Sequence, residues 1–180
     1  MTEGVNRLSE EYKLKEYNDE EYVWYACYGS NINYTRYMMY VNGGKYATKE
    51  GCQDKSEPVE YRKYIFNHPI YFAGESKIWT GGMAFLDYEN KGKSYGKIYK
   101  IKMSQFKRIF EQENELYNAI VLLEYIDNLP VLTFTSKNKL NNLLNNPSNK
   151  YISIIKEGLY DLNYGLTENE LTYYLKNKEN

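Results

Sequence analysis

The stretch "YVWYACY", Tyr22 to Tyr28, constrains this chain more than any other, because every position in it is apolar or aromatic. A strand with one wet face alternates, so an unbroken run of this length predicts a strand covered on both faces. The fold must therefore place packed layers on each side of it. Gly29, Ser30 and Asn31 follow at once. Three small residues there read either as a plain turn or as a cradle of N–H groups aimed at an anion.

Further strands are expected at "PIYFA" (69–73), "GGMAFLDY" (81–88), "YGKIYKIKM" (95–103), "AIVLLEYI" (119–126) and "PVLTFT" (130–135). "DYENKGKSY" between the second and third of these reads as a hairpin loop. "YTRYMMYV" (34–41) is expected to be helical within a long region from Ile32 to Lys77, which Gly43, Gly44, Gly51, Pro58, Pro69 and Gly74 punctuate. "SQFKRIFEQE" (104–113) predicts one helix, with Ser104 as its N-cap. After Thr135 the chain reads as helical. "KNKLNNLLNN" is expected as a surface helix with Leu140, Leu143 and Leu144 turned inward. "NKYISIIKEGLYDL" follows, and then "TENELTYYLKNK", where Thr167 and Glu170 have capping-box spacing. Strands first and helices last indicate an α+β fold with a largely antiparallel sheet. Residues 1–20 form a polar lead-in in which one short helix is expected, and 21–180 read as one domain.

Composition excludes several classes of function. The 23 basic and 24 acidic residues leave a net charge of −1, without the excess of cations a counterion-driven nucleic-acid binder carries. The 22 tyrosines are spread over every segment, which is compositional bias rather than a base-stacking platform. No run approaches the roughly 18 apolar residues of a membrane helix, and the charged N-terminus is not a secretory signal. Two cysteines do not build a disulfide framework, so a cytoplasmic location is expected. Cys27 and His68 do not read as a thiol catalyst, and Cys52 is expected to be an exposed thiol in a polar loop. One histidine and two cysteines fit no zinc spacing, and "DYENKGK" reads as a solvated loop rather than a calcium site. No metal or other cofactor is expected.

One residue breaks the helical pattern. In "SQFKRIFEQE" the apolar positions Phe106, Ile109 and Phe110 define a buried stripe, and the next position on it, i+7, is Glu113. A carboxylate carried into apolar surroundings, at a helix end whose dipole disfavours negative charge, should have a raised pKa. That would bring it from about 4.3 towards the range of roughly 6 to 7 that suits a general acid or base. Periodicity alone leaves a functional carboxylate equally open with a helix that ends earlier or a Glu113 paired with a lysine or arginine at the rim.

"YACYGSN", then "WTGGMAFL", then "FEQE" closing a helix, then a strand pair, then "NKYISIIKEG", taken together from about Tyr22 to Gly158, resemble the γ-glutamylcyclotransferase-like family. The resemblance implies a small, mixed, mostly antiparallel β-barrel flanked by helices, with one cavity. It implies Glu113 as the catalytic residue, and substrate binding by Tyr25, Ala26, Cys27, Tyr28, Gly29, Ser30 and Asn31, with Tyr117 and Tyr151 as further cavity residues. It favours the anion cradle over the plain turn. The implied reaction is intramolecular aminolysis of a γ-glutamyl amide to 5-oxoproline and a free amine. The expected partner is a small γ-glutamyl compound, with no nucleic acid and no membrane, and the protein is expected as a monomer or homodimer. The chain departs from the family in having Asn114 where a glycine commonly follows the glutamate, and in a long polar segment, 41–79, expected to reshape the cavity mouth. The rival reading is a non-catalytic binding or interaction module that keeps the fold.

Overall fold

The structure, a computed structural model, describes residues 6–7, 14, 16–44 and 50–177. Eight strands are described: β1 (Asn6–Arg7), β2 (Tyr22–Cys27), β3 (Glu60–Phe66), β4 (Ile70–Ala73), β5 (Met83–Leu86), β6 (Ser94–Lys102), β7 (Ala119–Ile126) and β8 (Leu129–Thr135). Four helices accompany them: α1 (Tyr34–Asn42), α2 (Met103–Gln112), α3 (Asn149–Asp161) and α4 (Glu168–Tyr174). The main sheet has the order β1-β7-β8-β2-β6-β3, and β4 and β5 form a second, two-stranded sheet.

The main sheet is mixed: β2 pairs β6 antiparallel and β8 parallel, and the other neighbours are antiparallel. It is not the barrel that the resemblance implied. β1 and β3 are its two edges, so the sheet is open, with β4 and β5 paired apart from it. β2 is central in it. Val23, Trp24 and Ala26 have no accessible surface, and Tyr25 and Cys27 retain 3%. From Val23 to Cys27 a strand paired on both edges and covered on both faces has no position where a polar side chain would be solvated, which is why "VWYAC" does not alternate; Tyr22, at its start, is 38% exposed. Each large side chain buried this fully contributes roughly 1.5–3 kcal/mol.

α2 covers one face of β2 through the expected stripe. Phe106 and Ile109 are fully buried, and the Phe106 ring meets Tyr25 edge-on at 5.7 Å. The helix begins at Met103 rather than after Ser104. Its first N–H groups are satisfied from outside the helix, Met103 N by Glu21 O at 2.8 Å and Ser104 N by Asp19 O at 3.1 Å, so no Ser104 cap is needed. The β7–β8 hairpin turns through Asp127 and Asn128 at φ 52° and 62°, the left-handed conformation that these two residue types tolerate.

Other expectations give way to tertiary pairing. "DYENKGKSY" is not a hairpin loop, because β5 pairs β4 whereas β6 pairs β2 and β3. β3 lies inside the region read as irregular; its residues are mostly exposed, so it lacks the apolar alternation of a buried strand. "KNKLNNLLNN" is not a helix. Only Asn141–Leu143 makes a 3₁₀ turn, and the segment runs along the second sheet with Gly74 N on Leu143 O and Asn145 N on Phe72 O. Leu143 and Leu144 are exposed, while Leu140 packs against the buried cluster of Tyr71, Ala73, Met83 and Phe85. Asparagines that bond the backbone compete with helix formation, and here Asn145 Nδ2 donates to Gly74 O at 2.8 Å. Of the polar lead-in, Asn6–Arg7 pair with β7 and Leu14 is buried in the core; the short helix expected there lies largely outside the described residues. Among the described residues no helix is long and apolar enough to cross a membrane.

Candidate active site

β2 and β8 run parallel, so their C-terminal ends open at the same place. There the chain leaves β2 through Tyr28 and Gly29 into a 3₁₀ turn, Ser30–Ile32. Thr133 Oγ1 donates to Ala26 O at 2.8 Å and Tyr28 Oη donates to Phe134 O at 2.6 Å, which ties the exit of β2 to β8. Asn33 then caps α1, accepting from Arg36 N at 3.2 Å. α3 holds the turn from outside. A Cβ on Gly158 would lie 2.8 Å from Asn33 N and from Ile32 C, so only glycine lets the helix approach this closely.

Tyr25, Ala26, Cys27, Tyr28, Gly29, Ser30, Asn31, Glu113, Tyr117 and Tyr151, all the residues singled out in the sequence, line one inner chamber of about 50 Å³. It opens into an outer chamber of about 630 Å³ that shares Ser30, Glu113, Tyr117 and Tyr151 with it. The segment between β4 and β5 supplies Ser76 to Trp79 to this mouth, part of the long segment that departs from the family.

Glu113 is the residue just past α2, with φ −77° and ψ 160°. The helix ends one residue earlier than the periodicity assumed. Because φ is near the helical value, the Cα–Cβ bond still points along the buried stripe; only the following peptide departs. Burial pushes the Glu113 carboxyl up to about 7, and a hydrogen bond from Tyr40, the charge of Arg36 and the Asn114 N–H hold it from rising further. Removal from water dominates.

The aromatic residues have definite bonding roles. Tyr25 Oη accepts from Asn31 Nδ2 at 2.9 Å and fixes that side chain, while Asn31 Oδ1 is buried without a hydrogen-bond partner. Tyr117 Oη donates to Ala84 O at 2.6 Å, and Tyr151 Oη accepts from Ala84 N at 3.1 Å. The two phenols thus satisfy the edge of β5 that no strand pairs.

Arg36 and Tyr40 were not picked out in the sequence. They stand four residues apart on α1, with Arg36 Nη2 donating to Tyr40 Oη at 3.2 Å and both side chains lining the outer chamber. The missed signal was a charged residue one turn from a tyrosine in a helix that starts directly behind the Gly-Ser-Asn turn. Cys52, expected at the surface, has 1% exposure, packed over Tyr40 O and Gln105 O, and burial pushes its thiol up to about 11. Cys27 is also buried with its thiol pushed up, and His68 bonds Asn90 O at 2.8 Å. Among the described residues no group of three or more His, Cys, Asp or Glu could hold a metal ion.

An open mixed sheet with helices on its faces, carrying its cleft where two parallel strands end, defines an α+β protein of known kind. The chain has the γ-glutamyl cyclotransferase-like fold. It is similar to a solved γ-glutamyl cyclotransferase at TM-score 0.58 with 17% identity, covering 89% of this chain and 90% of that one. It is also similar to an uncharacterized protein from Homo sapiens at TM-score 0.56 with 19% identity, over the same shares of the two chains. At these identities the likeness is one of fold. No protein-family model matches the chain. Among curated proteins, histone deacetylase 5 from Arabidopsis thaliana is 35% identical over an alignment of 102 residues that covers 52% of this chain; the chain spans only 16% of that protein's length.

Proposed function

We propose that this protein is a γ-glutamyl cyclotransferase-type enzyme that converts a γ-glutamyl amide to 5-oxoproline and a free amine. The observation that carries the reading is Glu113, its carboxyl raised to about 7, lining the same chamber as the Gly29–Asn31 turn.

The substrate brings its own nucleophile, the α-amine, within five-membered-ring distance of the γ-carbonyl. Well-oriented intramolecular attack has an effective molarity of roughly 10⁵ M or more. Glu113 takes a proton from the α-ammonium, the amine nitrogen bonds to the γ-carbon, and the C–N bond to the leaving group breaks. The α-nitrogen loses two protons in all and the departing nitrogen gains two, carried singly by the carboxylate, which finishes as it began. A group that titrates near the working pH serves both directions. The backbone N–H groups around Gly29, Ser30 and Asn31 are the donors proposed for the substrate carboxylate or the oxygen that becomes negative. Tyr25 through Asn31 form the wall against the glutamyl head, with Tyr117 opposite.

The test is incubation with a panel of γ-glutamyl amino acids and γ-glutamyl amines, with 5-oxoproline as the readout, for the unmodified protein and Glu113→Gln. Loss of roughly 10²–10⁴-fold in Glu113→Gln is expected. Equal turnover by the two proteins would overturn the role of Glu113. Binding of γ-glutamyl compounds with no 5-oxoproline from any of them would favour a non-catalytic binding module.

A further inference from the structure

The two chambers are unequal, and the larger one has chemistry that the cyclisation leaves unused. At about 630 Å³ against about 50 Å³, the outer chamber falls in the size range of sites for whole drug-sized ligands. If the glutamyl head occupies the inner chamber, the departing half of the substrate is the bulky half.

Arg36 is 3% exposed, yet its guanidinium is incompletely used. Nε is buried with no hydrogen-bond partner, and Nη1 meets only the weak acceptor Met39 Sδ at 3.9 Å. Nη2 alone has an oxygen, Tyr40 Oη at 3.2 Å. Burying a charged donor without an acceptor is costly, and the planar fork of a guanidinium is matched by a carboxylate that takes two of its N–H groups together. Among the described residues Arg36 makes no ion pair with Glu113; its Nη2 donates to Tyr40 Oη instead. The remaining charged groups of the chamber are Lys77, which adds to Arg36, and Glu113 and Glu115, which oppose it.

The wall beside Arg36 is aromatic. Trp79 lies 5.7 Å from the Arg36 guanidinium carbon, ring centre to Cζ, and stacks on Tyr151 at 6.2 Å and 28°. Its loop is held by Ser148 Oγ, which donates to Trp79 O at 2.7 Å, and by the turn from Ser76 to Gly81. Ile78 and Met83 extend the apolar surface.

We propose that the outer chamber is the leaving-group subsite and selects γ-glutamyl conjugates whose departing amine carries both a carboxylate, seated on Arg36, and an aromatic or apolar body, packed on Trp79. This rests on the cyclisation reading above. It assigns Arg36 and Trp79 as specificity-determining residues.

Three probes separate the parts: γ-glutamyl-phenylalanine has both groups, γ-glutamyl-phenethylamine lacks the carboxylate, and γ-glutamyl-alanine lacks the ring. Their kcat/KM for 5-oxoproline release is measured with the unmodified protein, and their binding to Glu113→Gln by calorimetry. γ-Glutamyl-phenylalanine should exceed each of the others by roughly tenfold or more in both. Arg36→Gln should bring the ratio of γ-glutamyl-phenylalanine to γ-glutamyl-phenethylamine close to one. Any effect on Glu113 lowers both rates together and cancels in the ratio. Equal kcat/KM for these two probes in the unmodified protein, or an unchanged ratio in Arg36→Gln, would overturn the proposal. If no probe releases 5-oxoproline, the cyclisation reading fails. The calorimetric ranking still decides the subsite: the same order supports it, and equal or absent binding overturns it.

Discussion

Arg36 Nη2 donates to Tyr40 Oη at 3.2 Å, and both groups favour the ionised form of Glu113, so a cation and a phenol on α1 bear on an acid past the end of α2. The arrangement sets two opposing effects on Glu113. Burial drives the proton on, and the Tyr40 bond and the Arg36 charge draw it off, leaving the group near 7.

Tyr40→Phe removes the bond that favours the ionised form. The Glu113 pKa should rise above 7, by about one unit, and the acid limb of the pH–rate profile should move up with it. The check is kcat/KM against pH between 5 and 9. A profile that stays in place would show that Tyr40 does not bear on the acid.

Glu113 also makes stability depend on pH. Its folded pKa of about 7 lies above the ordinary value of 4.5, so between these two the folded protein holds a proton that the unfolded chain has lost. Stability should therefore fall as pH rises from about 4.5 to about 7 and level off beyond it. The ceiling is about 3 kcal/mol, reduced by the side chain's residual contact with solvent. Glu113→Gln should abolish this decline and be more stable than the unmodified protein at pH 8. Urea unfolding at pH 5 and pH 8 measures both.

Gly158→Ala should reverse the usual sign. Alanine in place of glycine inside a helix ordinarily stabilises by about 1 kcal/mol. Here the added carbon would lie 2.8 Å from Asn33 N, Ile32 C and Ile32 Cγ2, atoms of the turn that carries the site. Forcing them apart should destabilise the fold by about 2 kcal/mol and lower activity as the cap of α1 shifts. Urea midpoints and 5-oxoproline release are the measurements.

The two thiols should resist modification in the folded protein. Both are buried, and burial raises both above the ordinary thiol range. A disulfide reagent at pH 7.5 should label neither cysteine natively and both in guanidinium. Rapid native labelling of Cys52 would contradict its packing beneath Tyr40 and Gln105.

What could be read from the chain alone was whatever local interactions decide. "VWYAC" announced a doubly covered strand because no side chain in it faces water; only Tyr22, at the strand's start, is exposed. Thr167 and Glu170 announced the start of α4 because a capping box is closed within four residues, and the structure has it, with Thr167 Oγ1 accepting from Glu170 N at 3.1 Å. The stripe through Phe106 and Ile109 brought Glu113 to notice because a helix repeats every 3.6 residues, and φ at the cap preserved that direction. Pairing was not local. β3 offers a mostly exposed sequence that becomes a strand because β6 lies beside it, and "KNKLNNLLNN" gives up its helix to bond the backbone of Phe72 in β4, of Gly74 and of Gly82. The open sheet, the burial of Cys52, and the meeting of Arg36 and Tyr40 with a carboxylate more than seventy residues away all depend on contacts between distant segments. Periodicity reports which face of an element is dry. Only the assembled chain decides what stands across from it.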